Sequence, residues 1–322
     1  MALNVKKNLL ERLRTTNDIL VHYAPLHTLL TEWGKPLIDH LSDWILKHPD
    51  AYVEAIRKSF EAGCDLVSTS TQAASPWRAN VYGLSDKVYE MNYMSAKLAK
   101  DIMPDDKYLC GFVSSTNPDF LEPLGNLTYD EVYEGYKLQI SALLEGGADT
   151  IMIVGNHPDE AVIAVKVAKD LADIPVIAHN VYYYGKAGFR TMMGQNPAEG
   201  CEILRLAGAD VVGASCGLMK EKGLNAAVPG QTHYYEGATA LVREMREGFD
   251  GFISIQPNAG LAQLLGDETN YPALPHEMAD EVLGWVEAGA RIVGGCCGTS
   301  LEHYRLASKV IREYNRQRQQ CG

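Results

Sequence analysis

The sequence predicts a single (β/α)8 barrel domain over residues 1–322, and a recurring loop pattern is the main reason. Closely similar segments with glycine at the third position occur at 61–67, 145–151, 206–212 and 287–293. Each copy follows an amphipathic stretch and precedes a β-branched run. This pattern is typical of a loop in which a helix ends at a left-handed glycine and a buried strand begins. Because strands and helices then alternate strictly, the sheet is expected to be parallel.

The anchors given by this pattern allow each element to be placed in order. Eight strands are predicted at about 18–23, 66–71, 108–115, 150–155, 175–181, 211–216, 251–256 and 291–296. The clearest helices between them are predicted at 84–101, 128–145, 159–171, 198–206, 237–248, 276–288 and 301–316. A further helix at about 4–15 is expected to close the bottom of the barrel, and 184–198 and 217–236 are long loops of the kind that often carries function.

The alternative architecture is an open Rossmann-like sheet. That fold carries a Gly-x-Gly-x-x-Gly segment after its first strand, and the first strand here has none. A closed barrel therefore remains the prediction, and its chemistry is expected at the carboxyl ends of the strands. The residues at these ends are His22, Tyr23, Ser68 to Gln72, Ser114 to Thr116, Asn156, His157, His179 to Tyr184, Cys216, Asn258, Cys296 and Cys297.

Composition and charge exclude several classes of protein. A hydrophobic fraction of 46% over 322 residues is that of a globular enzyme and not of a disordered or fibrous chain. No apolar run approaches the ~20 residues that a membrane span needs, and the start of the chain does not resemble a secretory signal. A net charge of −12 argues against a nucleic-acid partner. We expect a cytoplasmic protein with no nucleic-acid or membrane partner.

Three of the seven cysteines are predicted to meet at one mouth of the barrel. Cys216 ends the strand at 211–216, and Cys296 and Cys297 end the strand at 291–296. Adjacent residues on a straight strand face opposite sides, so both cysteines reach one ion only if the chain turns there, which the flanking glycines permit. Three thiolates with an open fourth position describe a catalytic zinc site. The alternatives are inert buried cysteines or a vicinal disulfide.

The residues around these cysteines resemble the homocysteine S-methyltransferase family. The resemblance lies in GGCCGT at 294–299, VVGASC at 211–216, PNAG at 257–260, AGCD at 62–65 and TST at 69–71. It implies a (β/α)8 barrel, methyl-transfer activity and zinc ligands at Cys216, Cys296 and Cys297. A substrate thiol on such a zinc ion loses its proton and stays nucleophilic, so methyl transfer is an in-line displacement helped by positioning.

The chain departs from the family where the family holds the amino acid part of homocysteine. Where the family has D-G-(A/G)-M-G-T after the first strand, this chain has Val21-His22-Tyr23-Ala24-Pro25. The acidic residue that ends the fourth strand is missing from 153–157, and Ser215 replaces an asparagine. Each lost charge-assisted hydrogen bond to an ammonium group removes ~1.5–3 kcal/mol. These departures argue against homocysteine as the substrate.

Other residues at the mouth are candidates for substrate binding, namely His22, Tyr23, Asn156, His179 and Asn258. Each histidine offers a hydrogen bond or an acid–base group, with a purely structural histidine as the alternative. Asn258 could orient a zinc ligand or only support the backbone. The run Tyr182-Tyr183-Tyr184 either lines a pocket for a quaternary ammonium or aromatic group, or packs between loop and helix.

The leading hypothesis is a zinc-dependent methyltransferase that moves a methyl group between a small methylated substrate and a separate corrinoid protein. The chain has no Asp-x-His-x-x-Gly motif of its own, so a corrinoid would be carried by a partner. One alternative is a homocysteine (thiol) S-methyltransferase that produces methionine, and a second is a non-catalytic zinc-binding barrel subunit. The expected cofactors are zinc and the partner's corrinoid. The expected partners are a small-molecule methyl donor or acceptor and, in a homo-oligomer, a second copy of the chain.

Overall fold

The computed structural model describes residues 8–117, 119–155, 157–217, 234–265 and 268–321. Eight parallel strands close into a barrel in which each strand pairs with its neighbours along the chain and the first pairs with the last. They are β1 (Leu20–Tyr23), β2 (Leu66–Ser68), β3 (Tyr108–Ser114), β4 (Thr150–Gly155), β5 (Val176–Asn180), β6 (Val211–Ser215), β7 (Phe252–Gln256) and β8 (Ala290–Gly295). The predicted closed barrel is confirmed.

Helices alternate with these strands. They are α1 (Leu9–Thr15), α2 (Leu26–Glu32), α3 (Leu41–Lys47), α4 (Pro49–Glu61), α5 (Pro76–Val81), α6 (Val88–Lys100), α7 (Tyr129–Glu145), α8 (Pro158–Leu171), α9 (Pro197–Ala207), α10 (Tyr234–Gly248), α11 (Pro275–Glu287) and α12 (Leu301–Cys321). A 3-10 turn, Ser85–Lys87, precedes α6. Among the described residues, none of these helices combines the length and the apolar character that crossing a bilayer requires.

The segments between strands differ from the prediction in three places. Helices α2, α3 and α4 occupy a stretch to which the sequence pattern assigned no helix. The predicted loop at 184–198 contains part of a hairpin of Tyr183–Gly185 and Gly188–Arg190. A second hairpin, Gln263–Leu265 with Glu268–Asn270, follows β7. Most of the predicted loop at 217–236 lies outside the described residues.

Helix α1 closes the lower end of the barrel, as predicted. Its Leu9 and Leu13 are buried in one apolar cluster with residues that alternate along the strands and therefore face the barrel interior. Those residues are Leu20, Leu66, Tyr108, Cys110, Phe112, Met152, Val154, Ile177, Val211 and Ile292. The lower interior is thus a packed apolar core.

The four recurring loops all lie at this lower end, and three of them carry an aspartate with the same task. Asp65 accepts the backbone N–H of Val21 at 3.0 Å, as Asp149 and Asp210 accept those of residues 109 and 176 at 2.9 and 2.8 Å. In each case the N–H belongs to the preceding strand. The glycines of the four loops have φ angles of 99° to 118°, which favour glycine. The repeated pattern therefore joins neighbouring strands.

Candidate metal centre

The carboxyl end of β7 holds the three cysteine segments together through backbone hydrogen bonds. The Cys216 N–H donates to the Gln256 carbonyl at 3.1 Å, and the Cys296 N–H donates to the Pro257 carbonyl at 2.8 Å. The Ala259 N–H donates to the Cys297 carbonyl at 2.9 Å. We call residues 256–259 the β7 clamp. Because β7 lies between β6 and β8, its end reaches both cysteine segments at once.

The chain turns sharply at both cysteine segments, as their convergence requires. Cys216 has a φ of 55°, and among the described residues it is the one non-glycine residue with a positive φ. Such a conformation costs roughly 1–2 kcal/mol and is often retained at functional sites. At the pair, Thr299 donates its N–H and its hydroxyl to the Cys296 carbonyl at 3.2 and 2.6 Å. This turn brings Cys296 and Cys297 to the same side.

The three sulfurs are spaced as the ligands of one ion. All three lie within 4.8 Å of one another, and the Cys296 and Cys297 sulfurs are 3.9 Å apart. A tetrahedral zinc ion with Zn–S bonds of ~2.3 Å separates its sulfurs by ~3.8 Å. Within the described parts of the chain, no other group of three His, Cys, Asp or Glu residues is this close. The donor set and its spacing fit zinc.

Negative charge is distributed unequally among the sulfurs. Hydrogen bonds from Cys216 first and from Cys296 second hold the pKa of the Cys297 thiol well below its usual range. Contacts with Cys216 and then Cys297 raise the pKa of Cys296 well above its usual range. The arrangement therefore favours ionisation of Cys297 over that of Cys296, and a divalent cation bound by the three sulfurs would displace their protons.

Tyr271 is a residue of this site that the sequence analysis missed. Its ring lies over Gly298, where any added Cβ would collide with it, and its hydroxyl hydrogen-bonds to Cys297. Burial, followed by the charge on Cys297, raises the pKa of Tyr271 above its usual range, so the phenol stays protonated. Tyr271 lies in the loop between β7 and α11, outside every motif, so no sequence signal marked it.

A groove of about 570 Å³ opens beside Cys297. It lies between α2 and the hairpin that follows β7, and its volume is in the range of small-molecule sites. Its lining comprises His27, Thr28, Thr31, Glu32, Leu37, Thr269, Asn270, Tyr271, Cys297 and Gly298. The groove gives a small molecule access to the sulfur cluster from outside the barrel.

The upper interior of the barrel is polar, unlike the lower interior. We call the buried residues His22, Ser68, His179, Ser215, Ser254 and Gln256 the upper polar layer. The His22 Nε2 lies 2.8 Å from the Ser68 hydroxyl, and the His179 Nδ1 lies 2.6 Å from the Ser215 hydroxyl. Four buried atoms of this layer have no hydrogen-bond partner: His22 Nδ1, His179 Nε2, Ser254 Oγ and Gln256 Nε2.

Both histidines of this layer are neutral. Burial lowers the pKa of His22 to about 3. Burial, with a smaller contribution from nearby His22, lowers the pKa of His179 to about 3. Since a buried unpaired polar group costs roughly 1–3 kcal/mol, these four atoms are available to hydrogen-bond with water or with a polar ligand.

The other predicted substrate-binding residues are placed differently. Tyr23 is adjacent to the inward His22 and so faces the helices, where its ring packs against Tyr304 with centroids 4.5 Å apart. Asn258 lies within the β7 clamp, and its buried Oδ1 has no partner. Asn156 lies outside the described residues. Of the five, the structure brings His22 and His179 together in the upper polar layer.

The three consecutive tyrosines mostly follow the packing alternative. Tyr182 is buried, and its hydroxyl accepts a hydrogen bond from the Asn180 side chain at 3.3 Å. Tyr184 packs edge-on against Phe189, with ring centroids 4.9 Å apart. About half of the Tyr183 side chain is exposed. Its pKa is raised, first by the burial of the other half and then by the charge of Cys216, so Tyr183 lies near the sulfur cluster.

Comparison with known proteins bears on both the family and the fold. Residues 10–311 match the family model described as homocysteine S-methyltransferase. The chain is 27% identical over 287 residues to the methionine synthase of Mycobacterium tuberculosis and 26% identical over 280 residues to that of Mycobacterium leprae. These alignments cover 85% and 83% of this chain but 22% of each relative, so the chain spans about a fifth of their length.

Solved structures share the barrel. The metallated form of the homocysteine methyltransferase MmuM from Escherichia coli superposes with a TM-score of 0.73 at 18% identity, covering 93% of this chain and 99% of that one. A methyltransferase from Methanosarcina mazei superposes with a TM-score of 0.55 at 12% identity, covering 92% and 94%. With its family model matched along nearly its whole length, the chain belongs to the homocysteine S-methyltransferase family, a family of methyltransferase enzymes.

Proposed function

We propose that this protein is a zinc-dependent thiol S-methyltransferase whose acceptor is homocysteine and whose product is methionine. The observation that carries the proposal is the cluster of three cysteine sulfurs within 4.8 Å beside an open groove. The similarity to methionine synthases and to a homocysteine methyltransferase supports a thiol acceptor. It favours this function over transfer to a corrinoid protein, the leading hypothesis from the sequence.

The chemistry follows from the donor set. Zinc held by Cys216, Cys296 and Cys297 would bind the acceptor sulfur as a thiolate and, with three negative ligands, keep it nucleophilic. The β7 clamp holds the three cysteine segments together through backbone hydrogen bonds. Tyr271 covers Cys297 from the hairpin side and donates a hydrogen bond to it, which orients that sulfur.

Two parts of the site are proposed to hold the two substrates. The groove beside Cys297 is the proposed place of the methyl donor, because it is open and reaches a sulfur of the cluster. The upper polar layer is the proposed place of the acceptor's polar end, with His22 and His179 as contact residues. Asn258 is proposed to position the cysteine pair from within the β7 clamp. Holding donor and acceptor in line lowers the barrier by positioning.

The test is methionine formation by zinc-loaded protein. Homocysteine would be supplied with, in turn, a sulfonium, a quaternary ammonium, a methylated folate and a methylated corrinoid donor, and methionine would be measured by mass spectrometry. We expect turnover with at least one donor and its loss after chelation of the metal. Failure with every donor, combined with methylation of a reduced corrinoid from a small methylated compound, would establish the corrinoid hypothesis instead.

A further inference from the structure

We propose that His22 and His179 bind the amino group of the acceptor through unprotonated ring nitrogens, in place of carboxylates. This inference rests on the proposed thiol methylation, because it assigns the subsite for the polar end of that same acceptor. The observations that carry it are the two buried, unpartnered nitrogens His22 Nδ1 and His179 Nε2. The proposal assigns the proton of each ring to its other nitrogen, which contacts a serine hydroxyl.

The neighbours of His22 allow the tautomer that the proposal requires. The Ser68 hydroxyl has one proton and two acceptors within reach, the Met152 sulfur at 3.5 Å and the His22 Nε2 at 2.8 Å. With that proton directed to Met152, Ser68 accepts the His22 Nε2–H. A neutral imidazole carries one proton, which leaves His22 Nδ1 as a bare acceptor.

The same reasoning applies to His179. The Ser215 hydroxyl lies 3.2 Å from the Gln256 Oε1 and 2.6 Å from the His179 Nδ1. With its proton directed to Gln256, Ser215 accepts the His179 Nδ1–H. His179 Nε2 is then a second bare acceptor. The Gln256 Nε2 has no partner and is therefore available as a donor.

These atoms face one region of the barrel interior. His22 lies opposite Gly294 on β8, and His179 lies opposite Gly213 on β6. A Cβ at Gly213 would be 2.2 Å from the Ser254 carbonyl oxygen and 2.6 Å from the His179 Nε2, and one at Gly294 would be 2.2 Å from the His22 carbonyl oxygen. Only glycine fits at these two positions, so neither adds a side chain to the region of the unpartnered atoms.

This region adjoins the sulfur cluster. Ser215 immediately precedes Cys216, and the Gln256 carbonyl accepts the Cys216 N–H at 3.1 Å. The proposal therefore places the sulfur of the acceptor at the cysteines and its other end in the upper polar layer. The distance along homocysteine from sulfur to nitrogen is only a few bonds, which suits neighbouring sites.

The available atoms complement an α-amino acid group. Two bare acceptors, His22 Nδ1 and His179 Nε2, match the N–H groups of an ammonium, and the Gln256 amide donor matches a carboxylate. The buried carboxylate of Glu160 does not serve this purpose, because its oxygens accept hydrogen bonds from Thr116 and from the backbone N–H of Leu121.

A first experiment reads the tautomers directly in the metal-free protein. Long-range 1H–15N spectra of histidine-labelled protein, assigned with His22→Leu and His179→Leu, report which ring nitrogen carries the proton. We expect Nε2–H on His22 and Nδ1–H on His179. The opposite tautomer on both residues would overturn the proposal.

A second experiment measures binding to zinc-loaded protein by calorimetry, comparing homocysteine with 4-mercaptobutanoate, which lacks only the amino group. We expect the wild type to prefer homocysteine by about tenfold or more. His22→Leu should lose this preference while retaining zinc, and His22→Asp, which restores a carboxylate acceptor, should keep it. His276→Ala, at an exposed position of α11, is the matched control.

The outcomes separate this inference from the proposed function. Methionine formation by a wild type that binds both thiols equally would overturn the inference and leave the function standing. A clear amino-group preference without methyl transfer from any donor would overturn the function and support the subsite. Loss of the preference in both His22→Leu and His22→Asp would show that the ring position only supports packing, which also overturns the inference.

Discussion

The two ends of the barrel follow different structural principles. At the lower end, Leu9 and Leu13 complete an apolar core, and three aspartates in equivalent loops join neighbouring strands. At the upper end, Cys216 has a positive φ, and His22 and His179 keep ring nitrogens without partners. Unpaired buried groups and strained backbone are unfavourable. The regular packing of the lower end therefore offsets the free-energy cost of the groups at the upper end.

The largest effect on the upper end without an effect on the lower end is expected from Cys297→Ser. Loss of one thiolate should remove most bound zinc and lower methyl transfer by about three orders of magnitude or more, with little change in unfolding free energy of the metal-free chain. Zinc content by elemental analysis and a methionine assay check this. Cys201→Ser, in α9 and outside the cluster, is the control that should retain both.

The reverse effect is expected from Leu13→Ala at the lower end. Removing the buried Leu13 side chain from α1 should reduce the free energy of unfolding by about 2–5 kcal/mol, since it leaves a cavity. The kcat and KM of the folded fraction should not change. Urea unfolding measures the loss, with the half-buried Leu10→Ala as the control of smaller effect. A change in KM as large as the change in stability would contradict the separation of the ends.

Acid should lower the free energy of unfolding through the two histidines of the upper end. The pKa of each histidine falls to about 3 on folding. Its contribution to the free energy of unfolding is therefore fully present at a pH above the pKa of the unfolded state, and it is lost as the pH falls toward 3. Between neutral pH and about pH 5, each of His22 and His179 should contribute a loss of about 2 kcal/mol. Urea unfolding at both pH values should show a smaller acid-induced loss in His22→Leu than in wild type. Leu13→Ala should keep the wild-type pH dependence.

The smallest effect is expected from Tyr271→Phe. The ring stays over Gly298, and only the hydrogen bond to Cys297 is lost. Weaker orientation of one ligand should lower zinc affinity by about tenfold, as for other groups that hold metal ligands. Competition with a chelator measures this affinity. Tyr184→Phe, whose ring packs on Phe189, should leave it unchanged.

Much of the barrel was predictable because its lower loops repeat. The glycines that end the helices and the β-branched runs after them mark four strands directly, and the remaining strands follow by interpolation. Helices α2 to α4 lie in a region where only the loop at its end carries that pattern, so their bounds were not marked. The phase of β1 was also not predictable: alternation requires His22 and Tyr23 to face opposite sides but does not say which faces in.

The sulfur cluster was predictable and its support was not. Cys216, Cys296 and Cys297 stand at strand ends within recognisable motifs, and the structure brings their sulfurs within 4.8 Å. The β7 clamp consists of backbone groups, and Tyr271 reaches Cys297 only through the packing of a hairpin. Neither depends on a residue type at a fixed spacing, so single-sequence reasoning had no signal for them. The proton positions on the histidines likewise depend on three-dimensional neighbours.

The β7 clamp has a consequence for how this scaffold can diverge. Main-chain amides and carbonyls of residues 256, 257 and 259 bond to the ligand segments, and these bonds do not depend on the side chains of that stretch. Exchange of Gln256, whose amide is proposed to meet the acceptor, would retune which molecules are accepted while these bonds stay in place. Selectivity and metal retention could thus evolve independently within a few ångströms of each other.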